Sequence, residues 1–582
     1  MMGTISDKLM RIINTKEDIR QALISKGYDV PTSIPFKEYA KMISDLPCRV
    51  DSFPDIEGIV ARYSALGLTN EQMAENPVWK DLTDNGHDLQ MKILAWKGMS
   101  GVGGYVGDFS KWVNNRDTTE IGITKSNSKV IIDVKVSQGS GKNIVFISKS
   151  NLGISNNVTI KITSTYPEGV MKFANSASNK YLKLPSNGII TLQDNPEYTS
   201  NEMYLHLASA DLGQITIEQL PLYPGALVFD GVDDYGVCDN FPILTKEKGY
   251  TVVALRQWIT RGKGALGLVS NVKNWLKDGA FLLEYRNIQA DHLNKPISFG
   301  AIGSEMDLPH ILTYQTSKSY NGVSITTGNF EGTDVLHVGK LAPTNVGTCI
   351  NAAIWELVFL DHDATEEELT KIKDYFVKTY PWLFPYQAWT TVGKTNEDED
   401  RATIANITGN GNDLVLSNFG FIEGSGYNEE GEHAGYLVTD GVDDMITSSA
   451  FQMGKDFTIV GDWKFIGNKK SGTGLVKGSS FYIYNTMIGL DLYINSGSVK
   501  NSLDGIKSIN AACSDGRAYD RNWNEILANT GNVVGSGGML EVSSSGGRFD
   551  RIAFKNLAIY PRILSKDDCI KAYNYLQTLK SK

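Results

Sequence analysis

Cysteine is scarce in this chain, and its few copies lie far apart. The 582 residues contain five cysteines, an odd number with no C-x-x-C spacing. The sequence therefore offers neither a disulfide framework nor a cysteine-based zinc knuckle. The five are Cys48, Cys238, Cys349, Cys513 and Cys569. We expect them to be reduced and mostly buried thiols.

The chain also lacks an excess of basic charge and lacks long apolar runs. Its formal net charge is -10, so no global positive field favours nucleic acid or an anionic membrane. No apolar run approaches membrane-spanning length, which argues against membrane insertion. The first residues, MMGTISDKLMRIINTKEDIR, are interrupted by charges and lack the apolar stretch of a signal peptide. We expect synthesis in a bacterial cytosol, with release by lysis for a protein that acts outside.

Enzyme motifs are missing as well. A glucanase-type active site needs two carboxylates across a sugar cleft, commonly on an E-x-D-x-x-E strand, and none occurs. Neither a G-x-S-x-G nucleophile motif nor a phosphate-binding P-loop is present. The sequence therefore predicts a protein that is not an enzyme.

What the chain does contain is turn-forming and strand-forming residues. Glycine (57) far outnumbers proline (17), and tyrosine (26) and phenylalanine (21) are plentiful. Such a composition is typical of many short strands joined by tight turns. The length predicts several domains rather than one core. We therefore expect a mainly β, multidomain protein.

The first 48 residues differ from the rest because they show helical periodicity. Leu9, Ile12 and Ile13 form one apolar stripe, and further apolar residues continue it after Thr15. Short amphipathic helices cannot bury such a face alone, so residues 1–48 predict a segment for attachment or oligomerisation. The alternative is a small helical cap folded on the next domain.

An internal repeat organises the remainder of the chain. GALVFDGVDDY begins at Gly225 and GYLVTDGVDDM at Gly435, and the two share G-x-L-V-x-D-G-V-D-D. Each copy leads to an apolar strand containing a tryptophan. Each also closes with a strand followed by a capped acidic helix, which in the second copy begins after Ser565. Two related β-modules follow from this pattern.

A second repeated element shows that the first module is split. LTDNGHDLQM from Leu82 matches ITGNGNDLVL from Ile407, but 142 positions separate Asp88 from Asp230, against 27 between Asp413 and Asp440. The first module therefore carries an insertion with its own alternating β pattern. The predicted organisation is a helical segment (1–48), a first module (49–104 and 221–384), an inserted β-sandwich, called the insertion (105–220), and a second module (385–582).

These motifs resemble those of the concanavalin A-like lectin and laminin-G superfamily. The pattern W-x-D-L-x-x-N-G-x-D is carried in the first copy by Trp79, Asp81, Leu82, Asn85, Gly86 and Asp88. The second copy lacks W-x-D and has Trp389 earlier. The resemblance implies tandem jelly-roll sandwiches with an inserted small β-domain, and it is more specific for fold than for function.

At a finer level AWKGMSGVGGY, the segment around FDGVDDY and the leader INTKEDIRQALISKG resemble structural fibre-type proteins of Bacteroides phages, including the crAss-like group. The resemblance implies a virion protein, a head or tail fibre or appendage. Residues 1–48 would fix a homotrimer to other virion proteins, and the lectin-like modules would adhere to host surface polysaccharide. Two alternatives remain: a secreted or surface bacterial polysaccharide-binding or glucanase-like protein, and a decoration protein without a ligand.

The repeated acidic motif permits two interpretations. The carboxylates of each copy are hard oxygen ligands that lie close together, as Ca²⁺ requires. The candidate calcium ligands are Asp230, Asp233 and Asp234, and Asp440, Asp443 and Asp444. The interpretation that we prefer is a hairpin turn, because Asp-Gly between strands is a hairpin signal and aspartate caps turn amides.

Sugar recognition would need exposed aromatic platforms. The candidates near loops or module ends are Trp275, Trp389 and Trp523. The alternative for each is packing in a core or junction, because tryptophan is mostly buried in proteins.

Overall fold

The structure is a computed structural model of the whole chain. It describes Lys16, Arg20 and residues 53–581 except 117, 155–157, 175–180, 193–201, 261–265, 272–281, 286–310, 325–332, 341–348, 430–432, 467–472, 478–480, 486–488, 495–502, 505–508, 528–536, 543, 546–547 and 550. The described residues are mainly β, as predicted. Within them no helix combines the length and hydrophobicity needed to span a bilayer.

The first module consists of two antiparallel sheets around one apolar core. The larger sheet comprises Ile59–Ser64, Gly101–Val102, Leu227–Asp230, Thr251–Trp258, Leu312–Thr316, Ser319–Tyr320, Val323–Ser324 and Asn351–Leu360. The smaller sheet comprises Val78–Trp79, Leu89–Lys92, Tyr235–Cys238, Leu266–Ser270, Leu282–Tyr285 and Leu336–Val338. Thr251–Trp258 is buried at every position, including the polar residues Arg256 and Gln257.

The insertion has its own core between two five-stranded sheets. One sheet comprises Val113–Asn114, Ser140–Ser148, Met171–Ala174, Tyr181–Lys183 and Glu202–Ser209. The other comprises Ile121–Lys125, Lys129–Val134, Thr159–Ser164, Asn187–Thr191 and Gly213–Gln219. A 3-10 helix (Phe109–Lys111) and the short helix Lys149–Leu152 complete it.

The chain leaves and re-enters the first module at adjacent points. The strand Gly101–Val102 pairs with Leu227 and Val228 of the returning chain. Beside this pairing, the Gly103 N–H donates to the Ala226 carbonyl at 2.9 Å. The two ends of the insertion are therefore hydrogen-bonded neighbours.

The second module repeats the two-sheet arrangement around a third core. One sheet comprises Gln387–Thr390, Gly426–Asn428, Tyr436–Val438, Thr458–Phe465, Ile509–Cys513, Arg517–Asp520, Glu525–Leu527 and Ile552–Tyr560. The other comprises Thr403–Ile404, Leu414–Ser417, Met445–Ser448, Thr473–Lys477, Phe481–Asn485, Gly489–Ile494, Leu503–Asp504 and Glu541–Val542. Two small sheets pair Phe451–Gln452 with Gly537–Gly538 and Ser544–Ser545 with Arg548–Phe549.

The central strand pairs of the two modules match residue by residue. Thr251 lies opposite Leu360 in the first module, and Thr458 lies opposite Tyr560 in the second. In both pairs the register shifts after the fifth residue, at Leu255 and at Asp462 respectively. A shared irregularity at the same place shows that the sequence repeat corresponds to a structural repeat.

Residues 1–55 and 367–380 form a smaller compact unit. Most of its described part is the helix Glu366–Thr379, on which the Tyr375 ring meets Phe53 edge to face with centroids 4.9 Å apart. The helix Asn70–Glu75 belongs to the larger unit. The predicted helical segment 1–48 lies outside the described residues, except for Lys16 and Arg20, which are both helical.

The helix Lys566–Leu576, which we name the junction helix, follows the last strand of the second module. Its N-cap is Ser565, as predicted, and the Ser565 Oγ accepts the Asp568 N–H at 3.1 Å. Buried residues occupy most of its circumference: Cys569, Ile570, Ala572, Tyr573, Asn574, Tyr575 and Leu576. A helix buried on several faces must be covered by more than its own module.

Two buried residues of the junction helix form hydrogen bonds with the first module and with the insertion. The Tyr575 hydroxyl donates to Gln257 Oε1 of the first module at 2.9 Å. Asn574 Oδ1 accepts from Thr159 Oγ1 of the insertion at 2.7 Å, and Asn574 Nδ2 donates to the Pro221 carbonyl at 3.3 Å. One helix of the second module thus contacts the insertion and the first module through specific buried hydrogen bonds.

Candidate functional site

The acidic motif of the first module, Asp230–Asp234, forms a turn that we name the first acidic turn. Asp230 ends one strand, and Gly231 follows with φ +83°, a conformation that favours glycine. The Asp234 carboxylate accepts the Asp230 N–H and the Ser100 hydroxyl, both at 2.9 Å. Asp230 accepts the Val232 N–H at 2.8 Å. The aspartates therefore satisfy the turn's own donors.

The second acidic turn, Asp440–Asp444, repeats these bonds. Asp444 accepts the Asp440 N–H at 2.7 Å and the Ser425 hydroxyl at 3.1 Å. Asp440 accepts the Val442 N–H at 2.7 Å. The sequence interpretation is therefore correct for the turn in both copies, but the hairpin is wrong, because the strands before and after each turn belong to different sheets.

The same turns bring the candidate calcium ligands together. In each triplet one carboxylate oxygen per residue lies within 4.8 Å of the other two. Three carboxylates supply part of the six to eight oxygens that Ca²⁺ takes. The buried member, Asp234 or Asp444, already accepts two hydrogen bonds. Calcium binding by Asp230, Asp233 and their counterparts stays a prediction.

The buried aspartates have raised pKa values. Burial, together with the charges of Asp230 and Asp233, raises the pKa of Asp234 to about 6, although its two hydrogen bonds work the other way. Asp444 has a pKa of about 6 for the same reasons. Both groups therefore bind a proton more readily in the folded chain than in the unfolded one.

Mild acid should consequently stabilise the fold through these two groups. Their folded pKa lies above the unfolded value, so each group should add about 1 kcal/mol to the free energy of unfolding, after allowance for screening, as pH falls from about 7 to about 4. Burial lowers the pKa of His337 to about 4, so this histidine acts in the opposite direction over the same range. Thermal melts at about pH 7.5 and about pH 5 measure the effect. Between these two pH values the wild type should gain about 1 kcal/mol relative to Asp444→Asn, whereas Asp443→Asn should follow the wild type. Equal pH dependence in both variants would contradict the assignment.

A second repeated turn adjoins each acidic turn, and sequence comparison missed it. We name Ile93–Val102 the first clamped turn and Asn418–Tyr427 the second. Asn70 holds the first by accepting the Val102 N–H at 2.8 Å and donating to its carbonyl at 3.1 Å. Asn396 makes the same two bonds to Tyr427, both at 2.8 Å. Each turn is therefore held by an asparagine side chain that lies outside it.

A cleft with a volume of about 330 Å³ opens where the first clamped turn meets the insertion and the first acidic turn. Its polar lining includes Lys97, Ser100, Asp108, Asn127 and Asp230. Asn127 Oδ1 accepts the Gly98 N–H at 2.8 Å, so a side chain of the insertion holds the wall contributed by the first module. The volume is at the lower end of ligand pockets, enough for one or two sugar rings.

The two modules differ at this place. Lys97 pairs with Ser100 in an isolated bridge, and Ile422 makes the equivalent bridge with Ser425. The second module therefore has an apolar residue where the first has an exposed ammonium group. Polar groups converging on a cleft are what sugar recognition requires, so the first module carries the stronger candidate site.

The predicted aromatic platforms do not form this site. Trp389 is fully buried, and its Nε1 donates to the Asn412 carbonyl at 2.9 Å. In the first module the Tyr63 hydroxyl donates to the carbonyl of His87. Trp389 is thus the core counterpart of Tyr63, and the prediction that it binds sugar is wrong because a buried ring cannot stack on a ligand.

The other two tryptophans contribute no platform either. Trp523 is 1% exposed, and its ring packs edge to face on Tyr573 of the junction helix with centroids 5.6 Å apart. The proposed sugar-binding role of Trp523 is therefore also wrong. Trp275 lies outside the described residues.

Comparison with known proteins gives only distant similarity. No protein-family model matches the chain, and no curated protein matches it. Trypanosoma rangeli sialidase in complex with sialic acid is 10% identical, with 79% of this chain and 85% of that chain covered and a TM-score of 0.23. The botulinum neurotoxin serotype D binding domain is 9% identical, with 60% and 89% covered and a TM-score of 0.20. Scores this low support no argument about function.

Proposed function

We propose that the chain is a non-catalytic structural protein of a phage virion, a head or tail fibre or appendage, that adheres to host surface polysaccharide. The junction is the observation that carries the proposal. Buried side chains of the junction helix form hydrogen bonds with both the first module and the insertion. A protein that displays binding domains needs these domains held in fixed positions. The virion origin is supported by the sequence resemblance of the leader and of the first module.

The cleft beside Lys97 is the proposed adhesion site. An ammonium group, carboxylates and an amide supply the donors and acceptors that orient sugar hydroxyls. Residues 1–48 are proposed to join three chains and attach them to other virion proteins.

A glucanase-like enzyme is the second candidate, because Asp108 and Asp230 both line the cleft. Glycoside hydrolysis needs a carboxylic acid whose pKa is raised towards neutrality. Burial acts to raise the pKa of Asp108, but hydrogen bonds from Ser110 and Asn127 and the charge of Lys111 leave it below its ordinary value. Asp108 is therefore poorly suited to be the general acid of such an enzyme.

Binding of the full chain to an array of bacterial surface polysaccharides tests adhesion. We expect one polysaccharide class to bind, and Lys97→Ile, which copies the second module, to weaken binding about 10-fold. Asp230→Asn should act similarly. Asp440→Asn makes the matched change in the second acidic turn and should leave binding unchanged.

Other outcomes point to the other functions. No binding to any polysaccharide would favour a decoration protein without a ligand. Shortening of a bound polysaccharide would favour the glucanase-like enzyme. Light scattering of the full chain should give a trimer, and a monomer with and without residues 1–48 would contradict the proposed attachment.

A further inference from the structure

The outer face of one sheet of the insertion carries a row of apolar side chains, which we name the outer row. Each member lies directly opposite the next, so the row crosses all five strands. In order across the sheet its members are Tyr181, Ala174, Tyr204, Phe146 and Val113. Met203 and Leu205 are buried in the core, so Tyr204 between them points outward. Tyr181 and Val113, at the two ends, are each 50% exposed, which makes the row a candidate binding surface.

The outer row contains a shallow groove between two tyrosine rings. Tyr181 and Tyr204 lie two strand spacings apart, about 10 Å. Ala174 lies between them, and its small side chain leaves the space above it open. The Phe146 ring packs edge to face on Tyr204, with centroids 5.7 Å apart and an interplanar angle of 64°. The groove is therefore wide enough for one sugar ring, with an aromatic ring on each side.

A polar row borders the outer row on the same face. It consists of Lys183, Lys172, His206 and Asn143, again in order across the sheet. Lys172 Nζ lies 4.4 Å from the centre of the Tyr181 ring, so this ammonium group stands beside the groove. His206 Nδ1 is 2.8 Å from Asn143 Oδ1, which accepts its proton and leaves Nε2 as an acceptor. The border thus offers two ammonium groups and one acceptor to a ligand.

The charge of this face favours an acidic ligand. The insertion (105–220) has 11 lysines and arginines against 10 aspartates and glutamates, whereas the whole chain carries a net charge of -10. Glu202 also points outward, but it lies on the other side of the outer row from Lys172 and Lys183. Two lysines can pair with scattered carboxylates, but they are few for a nucleic acid, which has a phosphate at every residue. Aromatic rings beside ammonium groups therefore suit an acidic sugar chain.

We propose that this face binds an acidic polysaccharide, with one sugar ring in the groove between Tyr181 and Tyr204 and a sugar carboxylate at Lys172. The inference rests on the proposed adhesion function, to which it adds a second site and the class of ligand. Val113, at the end of the outer row, lies five residues after Asp108, which lines the cleft. Five residues span at most about 18 Å, so one polysaccharide chain can reach both sites.

The test measures binding of the full chain to bacterial capsular polysaccharides that contain hexuronic acids, and to the same polysaccharides after reduction of their carboxyl groups. We expect the acidic forms to bind about 10-fold more tightly than the reduced forms. Lys172→Gln should weaken binding of the acidic forms about 5-fold and leave the reduced forms unchanged. Lys161→Gln, on the outer face of the other sheet, is the matched control and should change neither.

Two further variants test the groove itself. Tyr204→Ala should weaken binding about 10-fold, and Tyr204→Phe, which keeps the ring, should bind like the wild type. Ala174→Ile fills the floor of the groove with a residue that suits a strand, so it should weaken binding about as much and leave the melting temperature unchanged.

Contrary results separate this inference from the proposed function. If Lys97→Ile weakened binding but Tyr204→Ala and Ala174→Ile did not, adhesion would use the cleft alone and the inference would be wrong. Equal binding of acidic and reduced forms would also overturn it. An oligomer that Ala174→Ile dissociates would show that a second copy covers this face instead. If no polysaccharide bound, the proposed function and this inference would both fail.

Discussion

Replacing Gly426 with alanine is expected to destabilise the second module by about 3 kcal/mol, because two penalties coincide. Gly426 has φ +155°, and an added Cβ would lie 2.5 Å from Asn396 Oδ1 and 2.9 Å from the Phe421 Cα. The first atom belongs to the side chain that holds the clamped turn, and the second is backbone that cannot move aside. Scanning calorimetry of the full chain measures the loss.

Gly435 provides the control in the same module. Its φ is +78°, and an added Cβ would meet no atom within 4 Å. Gly435→Ala should therefore cost only the conformational penalty, about 1 kcal/mol. Gly101, the counterpart of Gly426 in the first module, should behave like Gly426, since its Cβ would lie 2.9 Å from the Trp96 Cα. Equal losses for Gly426→Ala and Gly435→Ala would show that the clamped turn tolerates a side chain.

The second large effect is expected at the junction. Tyr575→Ala removes a fully buried ring that meets Trp355 edge to face with centroids 6.0 Å apart. It also leaves Gln257 without its hydroxyl donor. We expect the free energy of unfolding to fall by about 4 kcal/mol. In calorimetry, we expect the second module to unfold in a transition separate from that of the first module and the insertion, whereas the wild type should show one transition.

Tyr575→Phe separates the two contributions. The ring contact with Trp355 remains, and only the hydrogen bond to Gln257 is lost, so the cost should be about 1.5 kcal/mol with coupled unfolding retained. If Tyr575→Ala left a single transition at the wild-type temperature, the junction helix would not be the element that makes the modules unfold together.

The acidic turns were predictable because their information is local. An Asp-Gly pair between two apolar strands predicts a tight turn, and the structure shows a turn in both copies, although each turn connects two different sheets and not the two strands of a hairpin. The partner serines were not found in the sequence. In the second module Ser425 precedes Asp444 by 19 positions, but the insertion places Ser100 134 positions before Asp234. The sequence does contain a signal for these serines, because a Ser-Gly pair occurs at Ser100 and again at Ser425.

The aromatic candidates failed for a different reason. Position near a loop or a module end suggested exposure for Trp389 and Trp523, yet Trp389 lies in the core of the second module and Trp523 is buried against the junction helix. Burial is a property of the assembled sheets, and no local pattern distinguishes a core tryptophan from a surface platform. The cleft beside Lys97 was missed likewise, because its walls come from segments that are separate in sequence.

The junction helix shows that hydrophobic periodicity in a sequence does not predict contacts between domains. Its N-cap at Ser565 was correctly predicted from three neighbouring residues. Amphipathic patterning identifies the face that covers the helix's own sheet, but Asn574 and Tyr575 contact other bodies. Contacts between domains leave no periodic signal in the chain, so this part of the architecture had to come from the structure.

Because Gly101–Val102 pairs with Leu227 and Val228, the insertion is a domain that could be replaced as a unit. The 124 residues between Val102 and Leu227 begin and end at neighbouring points, so another domain with adjacent termini could take their place without disturbing the host sheet. Such an exchange would replace the cleft walls at Asp108 and Asn127 and keep Lys97 and Asp230. If the cleft binds a ligand as proposed, such an exchange would change the ligand preference, and it would also remove the hydrogen bond from Thr159 to Asn574 of the junction helix.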